Sequence, residues 1–237
     1  ASFTPEAEAL AAAFWPGPLT LVLPLRADAG VASLVTAGLE TVAIRVPAHP
    51  LAQAVLRATG RPLAAPSANP SGRISPVTAD HVLNGLDGRI AAVIDGGRCG
   101  VGLESTIIGW PDGRATLLRP GGLSDEEIAA ITGPLLRHSE GGSPTAPGQL
   151  SSHYAPNAPL RLNATQARPG EALIGFGPVA GEMSLSQSGD LHEAAANLFE
   201  MLRRADELGR PIAVAPVPAT GLGLAINDRL IRAAAPR

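Results

Sequence analysis

Strand and helix patterns alternate along most of this chain, and the alternation limits its fold more than any other feature. Short apolar runs predict strands at residues 19–25, 41–46, 63–65, 91–94, 105–109 and 115–118. Helical periodicity predicts helices near residues 5–14, 51–58 and 78–83. A further helix is predicted to begin at Ser124, because Glu127 stands at the capping-box position three residues later. This order favours an α/β sheet over a helical bundle.

The periodicity stops between residues 138 and 158, where the sequence is rich in Gly, Ser, Pro and Thr. Such a composition is typical of a linker. Beyond it, strands are predicted at 159–162, 172–176 and 211–215, with helices at 191–208 and 223–234. We therefore expect a first α/β domain over 1–137, a linker over 138–158 and a small β/α domain over 159–237.

Charge and cysteine content restrict the chemistry. The formal net charge is -3, so RNA binding would require a local basic patch. All 18 basic residues are arginines, and a phosphate site must therefore use arginine forks, hydroxyls or backbone amides. Cys99 is the single cysteine and no metal-ligand spacing surrounds it, so no metal site on the protein is predicted. No apolar run of membrane-spanning length and no signal-peptide pattern is visible, which predicts a cytosolic protein.

The densest group of polar side chains follows the strand predicted at 63–65. It comprises Ser67, Asn69, Ser71, Arg73 and Ser75. Because the prolines in this segment fix φ and remove donors, the remaining groups point in few directions, as an oxygen-rich ligand requires. The alternative is a polar turn in which Ser75 caps a following helix, and the pattern alone leaves both open.

Two arginines stand at predicted strand ends, where α/β proteins usually bind ligands. Arg45 ends the strand at 41–46 and Arg119 follows the strand at 115–118. Each could bind a carboxylate or a phosphate, or could be a solvated arginine on a sheet face or in a turn. Ser105 and Thr106 follow several glycines that match neither a Walker loop nor a dinucleotide fingerprint.

One aromatic residue, Tyr154, lies inside the predicted linker beside His153. The ring could belong to a lid that reaches into the first domain, or it could make a small packing contact against either domain. The pattern does not choose between these.

Six motifs in order resemble the YrdC-type L-threonylcarbamoyladenylate synthase domain. They are FWPGPLT at 14–20, TVAIRVPAHP at 41–50, PLAAPSANPSGRISP at 62–76, IDGG at 94–97, ESTI at 104–107 and LLRPGG at 117–122. PGQLSSHYAP at 147–156 and the closing segment 221–237 resemble the long, two-domain members of the family. The resemblance implies a twisted, open mixed sheet with helices around a concave cavity, followed by a small Rossmann-like domain. The family domain opens with a strand-helix segment bearing a Lys-x-Arg motif, which is not in these residues, so we expect the first domain to be N-terminally incomplete.

The resemblance also implies an activity and its residues. In the family, L-threonine, bicarbonate and ATP with Mg²⁺ form threonylcarbamoyl-AMP and pyrophosphate, without a protein nucleophile, and downstream threonylcarbamoyl transferase proteins use the product to modify tRNA. Positions matching ATP contacts are Thr41, Ser67, Asn69, Ser75, Arg119 and Tyr154. Positions matching threonine contacts are Arg45, Ala65 and Ser105.

Three other functions fit parts of the sequence. A non-catalytic module of the same fold that binds RNA or nucleotide would show salt-dependent RNA binding without ATP turnover. A serine hydrolase would draw on Ser67 or Ser105, but no nucleophile-elbow pattern surrounds either. A carbamoyl-transfer accessory enzyme shares the domain, but its usual neighbouring domains are missing from this chain.

Overall fold

The computed structural model describes residues 1–137 and 152–236, which divide into two compact units. The first unit holds Ala1–Ala65 and the chain from Glu104 to the end of the first described range. The second holds Pro66–Leu103 and residues 152–236. Residues 66–103, which we expected in the first domain, thus group with the C-terminal half. Most of the predicted linker, residues 138–151, lies outside the described residues, so the boundaries at 137 and 159 stay a prediction.

The helices and strands agree with most of the sequence predictions. The helices are α1 Pro5–Phe14, α2 Ser33–Thr36, α3 Pro50–Thr59, α4 Ala79–Leu86, α5 Asp125–Thr132, α6 Leu191–Glu207 and α7 Leu222–Ala234. The strands are β1 Leu19–Pro24, β2 Thr41–Ile44, β3 Thr106–Gly109, β4 Thr116–Arg119, β5 Leu136–Arg137, β6 Leu160–Arg161, β7 Ala172–Gly175, β8 Met183–Ser184 and β9 Ile212–Val214. The predicted capping box of α5 is confirmed, because the Ser124 and Glu127 side chains each bond the other residue's backbone amide.

The first unit is built on a mixed sheet with the strand order β2-β1-β3-β4-β5. β1 is antiparallel to β2 and parallel to β3, and β3 is antiparallel to β4. Helices α1 and α5 cover this sheet, burying Leu10 and Ile128 against Leu21 and Ile108. Fully buried aliphatic side chains of this kind each contribute about 1.5–3 kcal/mol to folding, so the covered face fixes the positions of the strand ends.

Two strand predictions are wrong. Residues 63–65 and 91–94 form no strand, and Leu63 and Ile94 are 49% and 64% exposed. Pro62 and Pro66 bracket the first of these runs, and proline cannot donate to a strand ladder. Short apolar runs alone were therefore insufficient evidence for a strand. The sequence also missed α2, β5 and β8, all of which are short.

The second unit carries a parallel sheet with the strand order β6-β9-β7-β8. Helices α6 and α7 supply much of its core, where Leu198, Phe199 and Leu202 pack with Ile212 and Ile226. This confirms the small β/α fold expected of the C-terminal half. No helix in either described range combines the length and apolar character that a bilayer crossing needs.

Candidate functional site

Two strands start and two strands end at the same edge of the first sheet. Because β1 and β3 run opposite to β2 and β4, the starts of the first two lie beside the ends of the last two. Leu21 pairs with Ile44, so continuing that register by one residue places Thr20 opposite Arg45. Ser105 comes just before β3, and Arg119 is the last residue of β4. The topology therefore brings Thr20, Arg45, Ser105 and Arg119 to one edge, which we call the polar edge.

Hydrogen bonds connect three members of the polar edge. The hydroxyl oxygens of Thr20 and Ser105 are 2.6 Å apart. The Arg119 guanidinium donates to the Ser105 carbonyl oxygen at 2.8 Å and lies 3.4 Å from its hydroxyl oxygen. Arg119 is only 8% exposed, and a buried guanidinium held by backbone has little freedom of orientation. Its charge is therefore fixed beside two hydroxyl groups.

Sequence reasoning missed Thr20 as a site residue. It is the last residue of the FWPGPLT motif at 14–20, which we used for the resemblance without assigning it a role. The predicted strand at 19–25 would have placed Thr20 at a strand start, but the signal that it belongs to the site is the 2.6 Å contact with Ser105.

A glycine holds the turn after β4 against Ser105. A Cβ atom on Gly121 would lie 2.4 Å from the backbone of Glu104, Ser105 and Thr106, so only glycine allows this approach. Two further contacts hold the same turn. The Gly122 amide donates to the Glu104 carbonyl at 2.9 Å. The buried Thr106 hydroxyl donates to the Leu123 carbonyl at 2.6 Å. The PGG part of LLRPGG thus fixes the backbone that carries Ser105.

Arg45 is exposed and makes no hydrogen bond or ion pair in the described parts of the chain. Desolvation by the surrounding protein lowers the pKa of its guanidinium, which nevertheless stays protonated at neutral pH. An exposed and charged fork at a strand end can bind a carboxylate through two parallel hydrogen bonds.

Thr41 does not lie at the polar edge, and the sheet pairing does not place Ala65. Thr41 starts β2 opposite Pro24, so it is about 13 Å along the strand from Arg45 at 3.3 Å per residue. Strand alternation puts its side chain on the same face as that of Arg45. Ala65 is exposed and lies outside any helix or strand.

The other predicted ATP contacts belong to the second unit. Ser67 is exposed, whereas Ser75 is 6% exposed. The Asn69 side-chain nitrogen donates to the carbonyls of Pro70 at 2.9 Å and Arg73 at 3.1 Å. Its side-chain oxygen is buried and has no hydrogen-bond partner within the described residues. A buried acceptor of this kind costs about 1–3 kcal/mol unless water or a ligand satisfies it.

Ser75 does not cap the following helix, which was one of the two alternatives that the sequence left open. Helix α4 begins at Ala79, and its N-cap is Thr78, whose hydroxyl accepts from the His81 amide at 3.3 Å. Residues 75–77 therefore belong to the preceding loop.

Tyr154 lies in the core of the second unit and is 1% exposed. Its ring stacks on Phe199 with the centroids 5.5 Å apart, and the Arg229 guanidinium lies 5.3 Å from its centroid. The imidazole of His153 meets its edge. The ring thus makes a packing contact of the kind that the sequence allowed as the alternative to a lid. Its contact with a nucleotide stays a prediction.

No group of three or more His, Cys, Asp or Glu side chains in the two described ranges could hold a metal ion. The polar edge instead offers guanidinium and hydroxyl groups, which suit an anionic ligand with several oxygens.

Two family models match the chain one after the other. The first, described as "Telomere recombination", matches residues 1–121. The second, described as the C-terminal domain of threonylcarbamoyl-AMP synthase, matches residues 123–235.

Similar proteins come from bacteria, archaea and fungi. The threonylcarbamoyl-AMP synthase of Bacillus subtilis is 42% identical, over 98% of this chain and 74% of its own length. That of Pyrococcus abyssi is 39% identical over 96% and 73%, and that of Schizosaccharomyces pombe is 36% identical over 93% and 64%. The crystal structure of Pyrococcus abyssi Sua5 complexed with L-threonine is 38% identical with a TM-score of 0.89, covering 99% of this chain and 75% of that one.

Proposed function

Since the chain belongs to the threonylcarbamoyl-AMP synthase family, we propose that the polar edge is where its first unit binds L-threonine beside ATP. The chain is a nucleotidyltransferase that forms threonylcarbamoyl-AMP for tRNA modification. The observation that carries the site is the hydrogen bond between Arg119 and Ser105. It joins Arg119, a predicted ATP-binding residue, directly to Ser105, a predicted threonine-binding residue.

The reaction needs no nucleophile from the protein. The threonine amine forms a C–N bond with carbon dioxide and loses a proton, or with bicarbonate and releases water, and a carbamate results. A carbamate oxygen then attacks the α-phosphorus of ATP, a new P–O bond forms, and the bond to pyrophosphate breaks. Catalysis of this kind depends on positioning and on stabilising negative charge.

Each member of the polar edge has a role that its position supports. Arg45 binds the carboxylate of threonine, because its exposed guanidinium has no protein partner in the described residues. The hydroxyls of Ser105 and Thr20 hydrogen-bond the polar groups of the amino acid. Arg119, fixed by the Ser105 carbonyl, places a positive charge where the phosphate oxygens gain charge during the attack.

The family motifs also assign ATP contacts to Ser67, Asn69 and Ser75, which belong to the second unit. The buried Asn69 oxygen supports this role, because an acceptor without a described partner is suited to a ligand N–H or an ordered water. The same proposal includes contacts of ATP with Thr41 and Tyr154 and a contact of threonine with Ala65. These three contacts depend on the motifs alone.

In this proposal, Mg²⁺ binds together with ATP. Magnesium commonly binds through substrate phosphates and few protein carboxylates, and the described residues contain no cluster of acidic side chains for it. The product would pass to threonylcarbamoyl transferase proteins, because a mixed anhydride hydrolyses readily and is useful only if it is consumed promptly.

The test is pyrophosphate release by the full-length protein with ATP, threonine, bicarbonate and Mg²⁺, and with each of these left out in turn. We expect release to require all four. Equal release with and without threonine would contradict the assignment of the reaction. ATP binding without any turnover, together with salt-dependent RNA binding, would favour the regulatory module instead.

A further inference from the structure

The loop of residues 67–75, here called the serine loop, packs on the helix α6 of the second unit. Ile74 is buried in the core cluster that also contains Leu198 and Leu202 of α6. The loop itself contains no helix or strand. Its shape therefore depends on what its backbone and side chains contact.

Arg203 of α6 holds the last two residues of the serine loop. Its guanidinium donates to the Ile74 carbonyl and, at 3.3 Å, to the Ser75 carbonyl. The side chain is half-buried, and desolvation lowers its pKa while Glu207 and Asp206 oppose that shift. One planar fork thus sets the direction of two successive peptide groups.

A second set of contacts holds the middle of the serine loop. The Ala155 amide donates to the Gly72 carbonyl at 2.9 Å. The Arg73 guanidinium donates to the side-chain oxygen of Asn157. The side-chain nitrogen of Asn157 in turn donates to the Asp206 carboxylate at 2.9 Å. Asp206 lies three residues after Arg203 on the same helix, so one turn of α6 supports both parts of the loop.

We propose that Arg203 is a positioning residue for ATP, because it holds the serine loop in the shape that presents Ser67, Asn69 and Ser75 to the nucleotide. This inference rests on the proposed function, in which those three residues contact ATP. It gives the C-terminal half of the chain a role in nucleotide binding that is exerted through backbone carbonyls.

We call Arg203 a positioning residue because it contacts the carbonyls of the serine loop and acts on ATP only through that loop. Without the guanidinium, two carbonyls lose their donor, and the loop can turn to find others. Displacing binding groups by about 1 Å can reduce a rate by up to about a hundredfold. The loss should fall mainly on ATP, because three of the proposed threonine contacts, Thr20, Arg45 and Ser105, belong to the first unit.

The test compares Arg203→Met with Arg204→Met in the full-length protein. Arg204 is the next residue of α6 and is exposed, so its variant removes the same charge from the same helix. We expect Arg203→Met to raise the KM for ATP by about ten- to a hundredfold. The KM for threonine should stay within about twofold, and Arg204→Met should match the wild type in both.

Two more variants separate positioning from plain stability. Arg203→Lys retains a charged donor and should recover part of the ATP affinity, and it decides the question if Arg203→Met does not fold. Ser75→Ala should raise the KM for ATP by itself. The double variant Arg203→Met/Ser75→Ala should then be less impaired than the two single effects multiplied, since both act on one contact.

A lower melting temperature with an unchanged KM for ATP would overturn the inference, because Arg203 would then be structural only. Equal losses for ATP and threonine would also overturn it. If the wild type shows no threonine-dependent pyrophosphate release, the proposed reaction fails, and binding of ATP to the wild type and to Arg203→Met then tests the inference alone. Equal ATP affinity in those two proteins would contradict it.

Discussion

The hydroxyl oxygens of Thr20 and Ser105 lie 2.6 Å apart although 85 residues separate them in the sequence. Thr20 belongs to β1, and Ser105 stands immediately before β3, the parallel neighbour of β1. The contact exists only because the sheet pairs these strands, so it ties the site to the fold.

Replacing Ser105 by Ala should raise the KM for threonine by about three- to tenfold, since one neutral hydrogen bond is lost. The KM for ATP should change less, because Arg119 keeps its bond to the Ser105 carbonyl. Steady-state kinetics with each substrate varied in turn measure both. Ser33→Ala, at an exposed position of the same unit, is the control, and an equal effect of the two variants would contradict the role of Ser105.

Replacing Arg45 by Met should raise the KM for threonine by about ten- to a hundredfold, because hydrogen bonds to a charged carboxylate are the stronger class. The melting temperature should hardly change, since Arg45 is exposed and has no ion pair in the described residues. Calorimetric titration with threonine and thermal melting check the two parts. Arg57→Met, on the exposed side of α3, should bind threonine like the wild type. Normal threonine affinity in Arg45→Met would remove this residue from the site.

Gly121→Ala should destabilise the protein by about 1–3 kcal/mol, since the new methyl group meets the backbone of Glu104, Ser105 and Thr106. Because Ser105 must shift, the KM for threonine should rise as well. Denaturant unfolding and kinetics measure the two effects. Gly100→Ala is the matched control, because a Cβ there meets nothing within 4 Å, and it should be close to neutral. A neutral Gly121→Ala would show that the turn after β4 does not fix Ser105.

Glu171→Gln should destabilise the second unit in a pH-dependent way. The Arg161 guanidinium, which bonds both carboxylate oxygens, lowers the pKa of Glu171 from 4.5 to about 2. A lowered folded-state pKa means that the ionised carboxylate stabilises the fold above about pH 4.5, and that this stabilisation is lost as the pH falls towards 2.

Thermal melts of the wild type and Glu171→Gln should therefore differ by several degrees at pH 6 to 7 and converge near pH 2. Glu182→Gln removes an exposed ion pair with Arg210 and should cause little change at any pH. A difference for Glu171→Gln that stays constant from pH 7 to pH 2 would contradict the assignment.

The sequence predicted most of the fold because the core elements carry strong local signals. The strand at 19–25 and the helix at 191–208 were found within two residues of their ends, since their apolar residues recur at the strand or helix period. The runs at 63–65 and 91–94 look similar locally but gain no strand partner, and pairing is not encoded in a three- or four-residue window. The grouping of residues 66–103 with the C-terminal half depends on long-range contacts such as Arg203 with Ile74.

The candidate site was predictable in part. Arg45 and Arg119 were expected at strand ends, and the sheet topology places both at one edge. The bond between Arg119 and Ser105 could not be predicted, because it depends on how β3 pairs with β4. The sequence leaves Tyr154 open as part of a lid or as a packing residue. The burial of its ring against Phe199 depends on a helix some forty residues later in the chain.

The pairing of Leu21 with Ile44 sets the position of Arg45 at the polar edge. Because neighbouring side chains on a strand point to opposite faces, inserting one residue between Thr41 and Arg45 would turn the guanidinium to the opposite face of the sheet, away from the proposed threonine site. Inserting two would restore the face but carry the charge about 6.6 Å further along the strand. Relatives that keep the activity should therefore tolerate many substitutions in β2 and almost no change in its length.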